Sequence, residues 1–224
     1  MGSWAPKTAK TLRIALWGCA SLWLSACQPS APKAPQLPYY NSPDFTPLFI
    51  EDPALVEAQV PHQIAHFAFR DQDSLLFTQA ALAGKVHVAN FMFTSCGSIC
   101  PAMTANLKRV SDHFAARPEV AILSYTVTPW IDKVDVLKTY KDNYEIRNPN
   151  WHFLTGDKAA IYTLARQSYF AEEEFGYTKD STEFLHTEHF LLVDKTQRIR
   201  GIYNGTLALE MQQLIEDIET LTAE

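Results

Sequence analysis

Two cysteines separated by three residues, Cys96 and Cys100, stand where an apolar run gives way to a proline: Phe91-Met92-Phe93-Thr94-Ser95-Cys96-Gly97-Ser98-Ile99-Cys100-Pro101. Residues 86–93 are rich in Val and Phe, the composition of a buried strand. Pro101 suits the first helical turn, where a missing N–H costs nothing. Met103, Leu107, Val110 and Phe114 then recur at helical spacing, which predicts a helix over 101–116. Both thiols therefore fall near the positive end of a helix, where thiolates are stabilised and become reactive or metal-binding. A structural disulfide or a pair of core cysteines is the plainer alternative, and the strand–loop–helix placement argues against it.

The other two cysteines belong to a different region. Lys7, Lys10 and Arg13 precede an uncharged, largely apolar run over 14–24, which has the length of a signal-peptide core and is short for a membrane span. It ends in Leu24-Ser25-Ala26-Cys27, which resembles the lipobox of bacterial lipoproteins. That resemblance implies cleavage before Cys27, a lipid on its sulfur, and loss of Cys19 with the leader. An ordinary signal peptide with a stray cysteine is the alternative. Cys96 and Cys100 would then carry the only free sulfur chemistry of the mature chain.

The expected organisation is a lipoprotein signal peptide over 1–26, a lipidated cysteine and Pro-rich tether over 27–59, and one folded domain over 60–224. Pro-rich segments are extended and semi-rigid, so the tether would hold the domain off the membrane. Without Lys7, Lys10 and Arg13, the 19 basic residues become 16 against 25 acidic ones, a net charge of -9. With no basic stripe either, nucleic acid is excluded as a partner. The chain is 47% apolar and 20% charged, enough to bury a proper core.

Periodicity predicts strands over 64–69, 86–93, 120–127, 151–154, 190–193 and 198–203. Helices are expected over 101–116 and 157–169, with a terminal amphipathic one carrying Leu207, Met211, Leu214, Ile218 and Leu221. A further helix bears Val134, Leu137, Tyr140 and Tyr144, with Asp132 and Asp135 resembling a capping pair ahead of it. Residues 70–73 read as a hairpin or turn. This order suggests an α/β domain with a mixed central sheet and helices on both faces. A cysteine pair at a strand–helix junction in such an order points, by analogy, to a thioredoxin-like fold.

Residues 84–103 resemble the signature of the Sco (SenC) family, as do 124–140, 153–156 and 185–194. The matches run in order through about residues 60–222. Members of that family are thioredoxin-like, membrane-anchored copper proteins that help to assemble the copper site of cytochrome c oxidase. The resemblance implies copper, as Cu(I) or Cu(II), on Cys96, Cys100 and His186. It also implies an oxidase subunit carrying the copper site as partner, together with other envelope copper chaperones. The implied location is extracytoplasmic, in the cell envelope on a lipid anchor. Many members have Pro after the first cysteine, whereas this chain has Gly97, which would loosen the loop without removing a ligand.

The chemistry agrees with that implication. Two thiolates and an imidazole form a soft set suited to Cu(I), and able to hold Cu(II) with added ligands. Structural zinc takes four protein ligands and iron–sulfur clusters usually four cysteines, so both fit poorly. Dithiol oxidoreductases more often carry Cys-x-x-Cys. Where thioredoxins place a cis-proline opposite the cysteines, the stretch 182–187 has no proline and offers His186.

Among the other histidines, His189 is the competing ligand. If the strand over 190–193 already begins at Glu188, His189 falls inside it, whereas His186 precedes it in a loop, which favours His186. His62, His66, His87, His113 and His152 have no supporting motif. Met103 is a soft candidate that its apolar stripe assigns to the core. Glu172, Glu173 and Glu174 form an acidic run read as a solvated loop, and Asp194 is read as a turn residue. Three functions follow: a non-enzymatic metallochaperone that delivers copper, a thiol–disulfide oxidoreductase in which Cys96 attacks and Cys100 resolves, or a redox or copper sensor.

Overall fold

The computed structural model describes residues 1–2, 4, 36–171 and 187–224. Cys19, Cys27, the acidic run 172–174 and His186 lie outside the described residues.

Among the described residues, nine strands and five α-helices follow the expected alternation closely. A seven-stranded sheet has the order β2 (Pro47–Leu48), β1 (Tyr39–Tyr40), β9 (Ile199–Asn204), β8 (His189–Val193), β5 (Val86–Met92), β6 (Val120–Thr126), β7 (Trp151–Leu154). Within it β5 pairs in parallel with β6, which pairs in parallel with β7. On the other side β8 runs antiparallel to β5, and β9 antiparallel to β8. β5 and β6 are buried along their whole length, as strands covered on both faces must be.

The period of two in a strand divides the core. Val86, Val88 and Met92 of β5 join Ile122, Trp151, Phe153 and Phe190 on one face. There they meet α2 (Cys100–His113) through Met103, Leu107 and Val110, and α5 (Ala208–Ala223) through Met211, Leu214, Ile218 and Leu221. α3 (Val134–Asn143) adds Leu137 and Tyr140 to that layer. The opposite face presents Ala89, Phe91, Leu123, Tyr125, Leu191 and Val193 to α4 (Lys158–Thr163) and the π-helical turn Leu164–Ser168. This is the mixed, thioredoxin-like arrangement expected, with helices on both faces. Among the described residues no helix is long and apolar enough to cross a membrane.

Three local expectations change. The strand expected over 64–69 is only β3 (Ala68–Arg70), and it pairs with β4 (Leu76–Thr78) in a separate hairpin. Ile64 and Phe67 are buried, but their backbones bond to the loop residue Gln197 and to Gln79 rather than to a ladder. Apolarity there reflects burial rather than sheet pairing. Second, the Pro-rich stretch before residue 60 holds β1 (Tyr39–Tyr40), β2 (Pro47–Leu48) and the short helix α1 (Val56–Gln59). Tyr40 pairs with Ile199 of β9, and the buried Arg200 guanidinium holds the carbonyls of Leu37 and Pro38 at 3.0 and 3.1 Å. Third, Asp132 does not cap α3. Lys133 occupies the cap position without a side-chain capping bond, and the Asp132 carboxylate turns inward to three threonines.

Candidate metal centre

β5, β6 and β7 all run toward one edge of the sheet, and the loop leaving β5 carries both cysteines over that edge. Such carboxyl-end crevices are where open α/β sheets place their sites. The Cys96 N–H bonds back to the Phe93 carbonyl at 3.3 Å, closing a turn. α2 then begins at Cys100, with Pro101 in its first turn as expected. Phe93, Cys96 and Ile99 pack at the margin of the core that encloses Cys100, Met92 and Met103. Met103 is 1% exposed, in agreement with its reading as a core residue.

The two thiols are free and differ in environment. Cys96 is half-buried, while Cys100 is 4% exposed. The Cys100 N–H approaches the Cys96 sulfur at 3.5 Å. Burial raises the Cys96 thiol, but hydrogen bonding from Cys100 and from the N–H groups of Ser98 and Ile99 outweighs it and holds Cys96 below its ordinary value. For Cys100 burial dominates, with the Cys96 sulfur adding to it, and the thiol is pushed up to about 12. Proton loss from Cys96 is thus favoured by the helix start, and Cys100 keeps its proton until something draws it off. Burial also raises the Tyr140 hydroxyl, which contacts Thr104 at 2.7 Å and feels the Cys100 charge.

Gly97 has no left-handed φ, and a Cβ built on it would meet nothing within 4 Å. Its conformational freedom is not what this loop requires. A surface cleft of about 300 Å³, lined by Thr94, Asp135, Val136, Thr139, Tyr140 and Asn143, opens beside the loop. Larger clefts of about 520 and 440 Å³ lie by the β3–β4 hairpin and α4, and their walls contain neither cysteine.

Among the described residues, no group of three His, Cys, Asp or Glu stands together to hold a metal. His189 begins β8, paired with Asn204, and its Nδ1 contacts the Thr187 hydroxyl at 3.3 Å. It is not gathered with the two thiols. His87 is fully buried with Nε2 on the Tyr169 hydroxyl at 3.0 Å, and His62 contacts the Ser168 carbonyl at 2.8 Å. His113 faces Glu219, and His152 lies against Asp71 and Phe77. Asp194 is the turn residue expected, accepting from Thr196 and Arg198 N–H groups at 2.8 and 3.0 Å. What sequence reasoning missed is the pull of Asp132 toward Thr94, two residues before Cys96. The spacing of Thr126, Thr128 and Asp132 was the available signal, and it resembles an ordinary turn.

The SCO1/SenC family model matches residues 56–223. The SCO1 protein homolog of Bacillus subtilis (strain 168) is 31% identical over 161 residues, covering 71% of this chain and 82% of that one. A SCO1/SenC family lipoprotein from Bacillus anthracis str. Ames superposes with TM-score 0.63 at 28% identity, covering 73% of this chain and 96% of the other. BsSco, described with a disulfide switch and as a member of the Sco family of cytochrome c oxidase assembly proteins, gives 0.61 at 29%, covering 72% and 94%. Bradyrhizobium japonicum ScoI, solved with copper bound, gives 0.54 at 23% over 70% and 98%, a likeness of fold.

Proposed function

The chain belongs to the SCO1/SenC family, and from that premise we propose that it binds copper through Cys96, Cys100 and His186 and delivers it to cytochrome c oxidase during assembly. The observation that carries this reading is the unequal thiol pair at the carboxyl edge of the sheet: a half-exposed, acidified Cys96 above a buried Cys100. Two sulfurs form a soft donor set that favours Cu(I) and tolerates Cu(II), and a neutral imidazole completes three ligands. Three protein ligands leave the metal open to an incoming thiolate. Copper then passes by exchange of one ligand at a time and is never released free. A lipid on Cys27 would keep the domain at the extracytoplasmic face of a membrane, near a membrane-bound acceptor.

The thiol asymmetry also favours a second reading, reduction of the acceptor's disulfide. The Cys96 thiolate would attack one acceptor sulfur, forming a mixed disulfide and expelling the other sulfur as thiolate. Cys100 would then lose its proton, attack the Cys96 sulfur and release the second acceptor thiol, leaving Cys96–Cys100 oxidised by two electrons. The two roles are compatible, since copper loads only onto reduced thiols.

His186 separates them. His186→Ala should weaken copper binding at least ~10-fold, about 1.4 kcal/mol, and block oxidase assembly, with His189→Ala doing much less. If His186→Ala supports assembly while Cys96→Ser and Cys100→Ser abolish it, reduction is the function. A larger loss in His189→Ala would move the third ligand to that residue.

A further inference from the structure

Asp132 is 0% exposed, and its carboxylate accepts four hydrogen bonds. Oδ1 takes the Thr94 hydroxyl at 2.5 Å. Oδ2 takes the Thr94 N–H at 3.1 Å and the hydroxyls of Thr126 and Thr128 at 2.5 and 3.0 Å. Its backbone is held as well, the N–H by the Thr128 carbonyl at 2.8 Å and the carbonyl by the Thr155 hydroxyl at 2.9 Å. Among the described residues Asp132 enters no ion pair, so neutral donors alone compensate its burial. A buried carboxylate is costly to desolvate, and a full set of donors is what makes it tolerable.

The position of this cage gives it a use. Thr126 closes β6, Thr128 follows it, and Thr155 follows β7, so Asp132 ties together the strand ends that border the cysteine loop. Thr94 alone supplies both a side-chain and a backbone donor. It sits inside the turn closed by the Cys96 N–H on the Phe93 carbonyl. Gripping Thr94 at two points therefore fixes the direction in which the chain leaves β5 and enters Cys96. The Cys96 sulfur meets the N–H groups at the start of α2 only if that direction is held. Ligand-orienting partners of this kind commonly change metal affinity 10–100-fold when removed.

We propose that Asp132, acting through Thr94, is a positioning residue that presets Cys96 for copper and for thiol attack. The proposal rests on the functional reading above and deepens it. The alternative is that Asp132 only staples strand ends. Thr94 and Thr126 distinguish the two, because each donates a hydroxyl to Asp132 at 2.5 Å, yet only Thr94 leads into Cys96. Thr126 also accepts the Thr128 N–H at 3.0 Å, so its loss harms the staple at least as much.

The test uses the full-length reduced protein in three forms beside wild type: Thr94→Val, Thr94→Ser and Thr126→Val. Two readouts are taken, the affinity and visible thiolate-to-metal absorption on adding Cu(II), and the rate of Cys96 alkylation by iodoacetamide without metal. Thr94→Val should weaken Cu(II) binding ~10-fold or more, shift the absorption band, and slow alkylation several-fold, roughly in step with the lost N–H contacts. Thr94→Ser should restore all three, and Thr126→Val should stay within about twofold of wild type. Should Thr94→Val fail to fold, Thr94→Ala removes the same hydroxyl without a methyl in its place. Equal effects in Thr94→Val and Thr126→Val, or none in either, overturn the proposal. If wild type binds no copper while Thr94→Val still slows alkylation, the copper reading fails and the positioning role stands.

Discussion

Limited alkylation of the reduced protein at pH 7 should fall almost wholly on Cys96. Its thiol is held below its ordinary 9.0, whereas that of Cys100 is pushed up to about 12. The opposite shifts leave far more thiolate at Cys96 at neutral pH, each pKa unit between the two thiols being a ~10-fold difference. The more acidic thiolate is the weaker nucleophile, and a Brønsted slope near 0.5 returns about half of that advantage, on the logarithmic scale, to Cys100. Each unit between them therefore leaves about a threefold net preference for Cys96 before access is counted. Cys100, at 4% exposed, is further protected by its burial. The assay is substoichiometric iodoacetamide, digestion, and fragmentation of the peptide holding both residues, since the two sites differ in which fragment ions carry the added mass. In Cys96→Ser the remaining thiol should react slowly, with a rate still climbing above pH 9. Equal labelling of the two sulfurs, or earlier labelling of Cys100, would refute the reasoning from helix-start hydrogen bonds and burial.

Acid should destabilise the domain through His87, whose imidazole burial lowers from 6.5 to about 3. Between those values the unfolded chain binds the proton and the folded one does not, so stability present above pH 6.5 is lost as pH falls, by at most about 1.4 kcal/mol per pH unit. Denaturant melts at pH 7 and pH 5 should differ by about 2 kcal/mol more in wild type than in His87→Gln, and equal differences would remove His87 from the account. Cys27→Ser should release or misprocess the protein, and a variant retained in the membrane fraction as firmly as wild type would dismiss the lipid anchor.

The cysteine loop was legible because three independent signals coincide there: the apolar run of β5, Pro101 in the first turn, and the helical stripe from Met103 to Phe114. The alternation of strands and helices was legible for the same reason, since β5, β6 and their covering helices each carry their own period. Asp132 was misread because an acidic residue just ahead of a helix has one common use. Its actual partners come from residues as distant as Thr94, and local spacing cannot show a carboxylate turning inward. β1 and β2 were hidden by proline-rich composition, and their place on the sheet edge depends on Arg200 and Ile199, more than 150 residues away. Ile64 and Phe67 signalled burial correctly, but burial under a loop and burial in a sheet leave the same trace in an apolar pattern.

The central claim is that two reduced sulfurs at the carboxyl edge of this sheet hold copper. Its most direct test is a copper titration of the full-length protein, first reduced and then oxidised to the Cys96–Cys100 disulfide. The reduced form should bind one copper ion tightly, and oxidation should eliminate that binding. Equal affinity in the two forms would contradict the thiolate site.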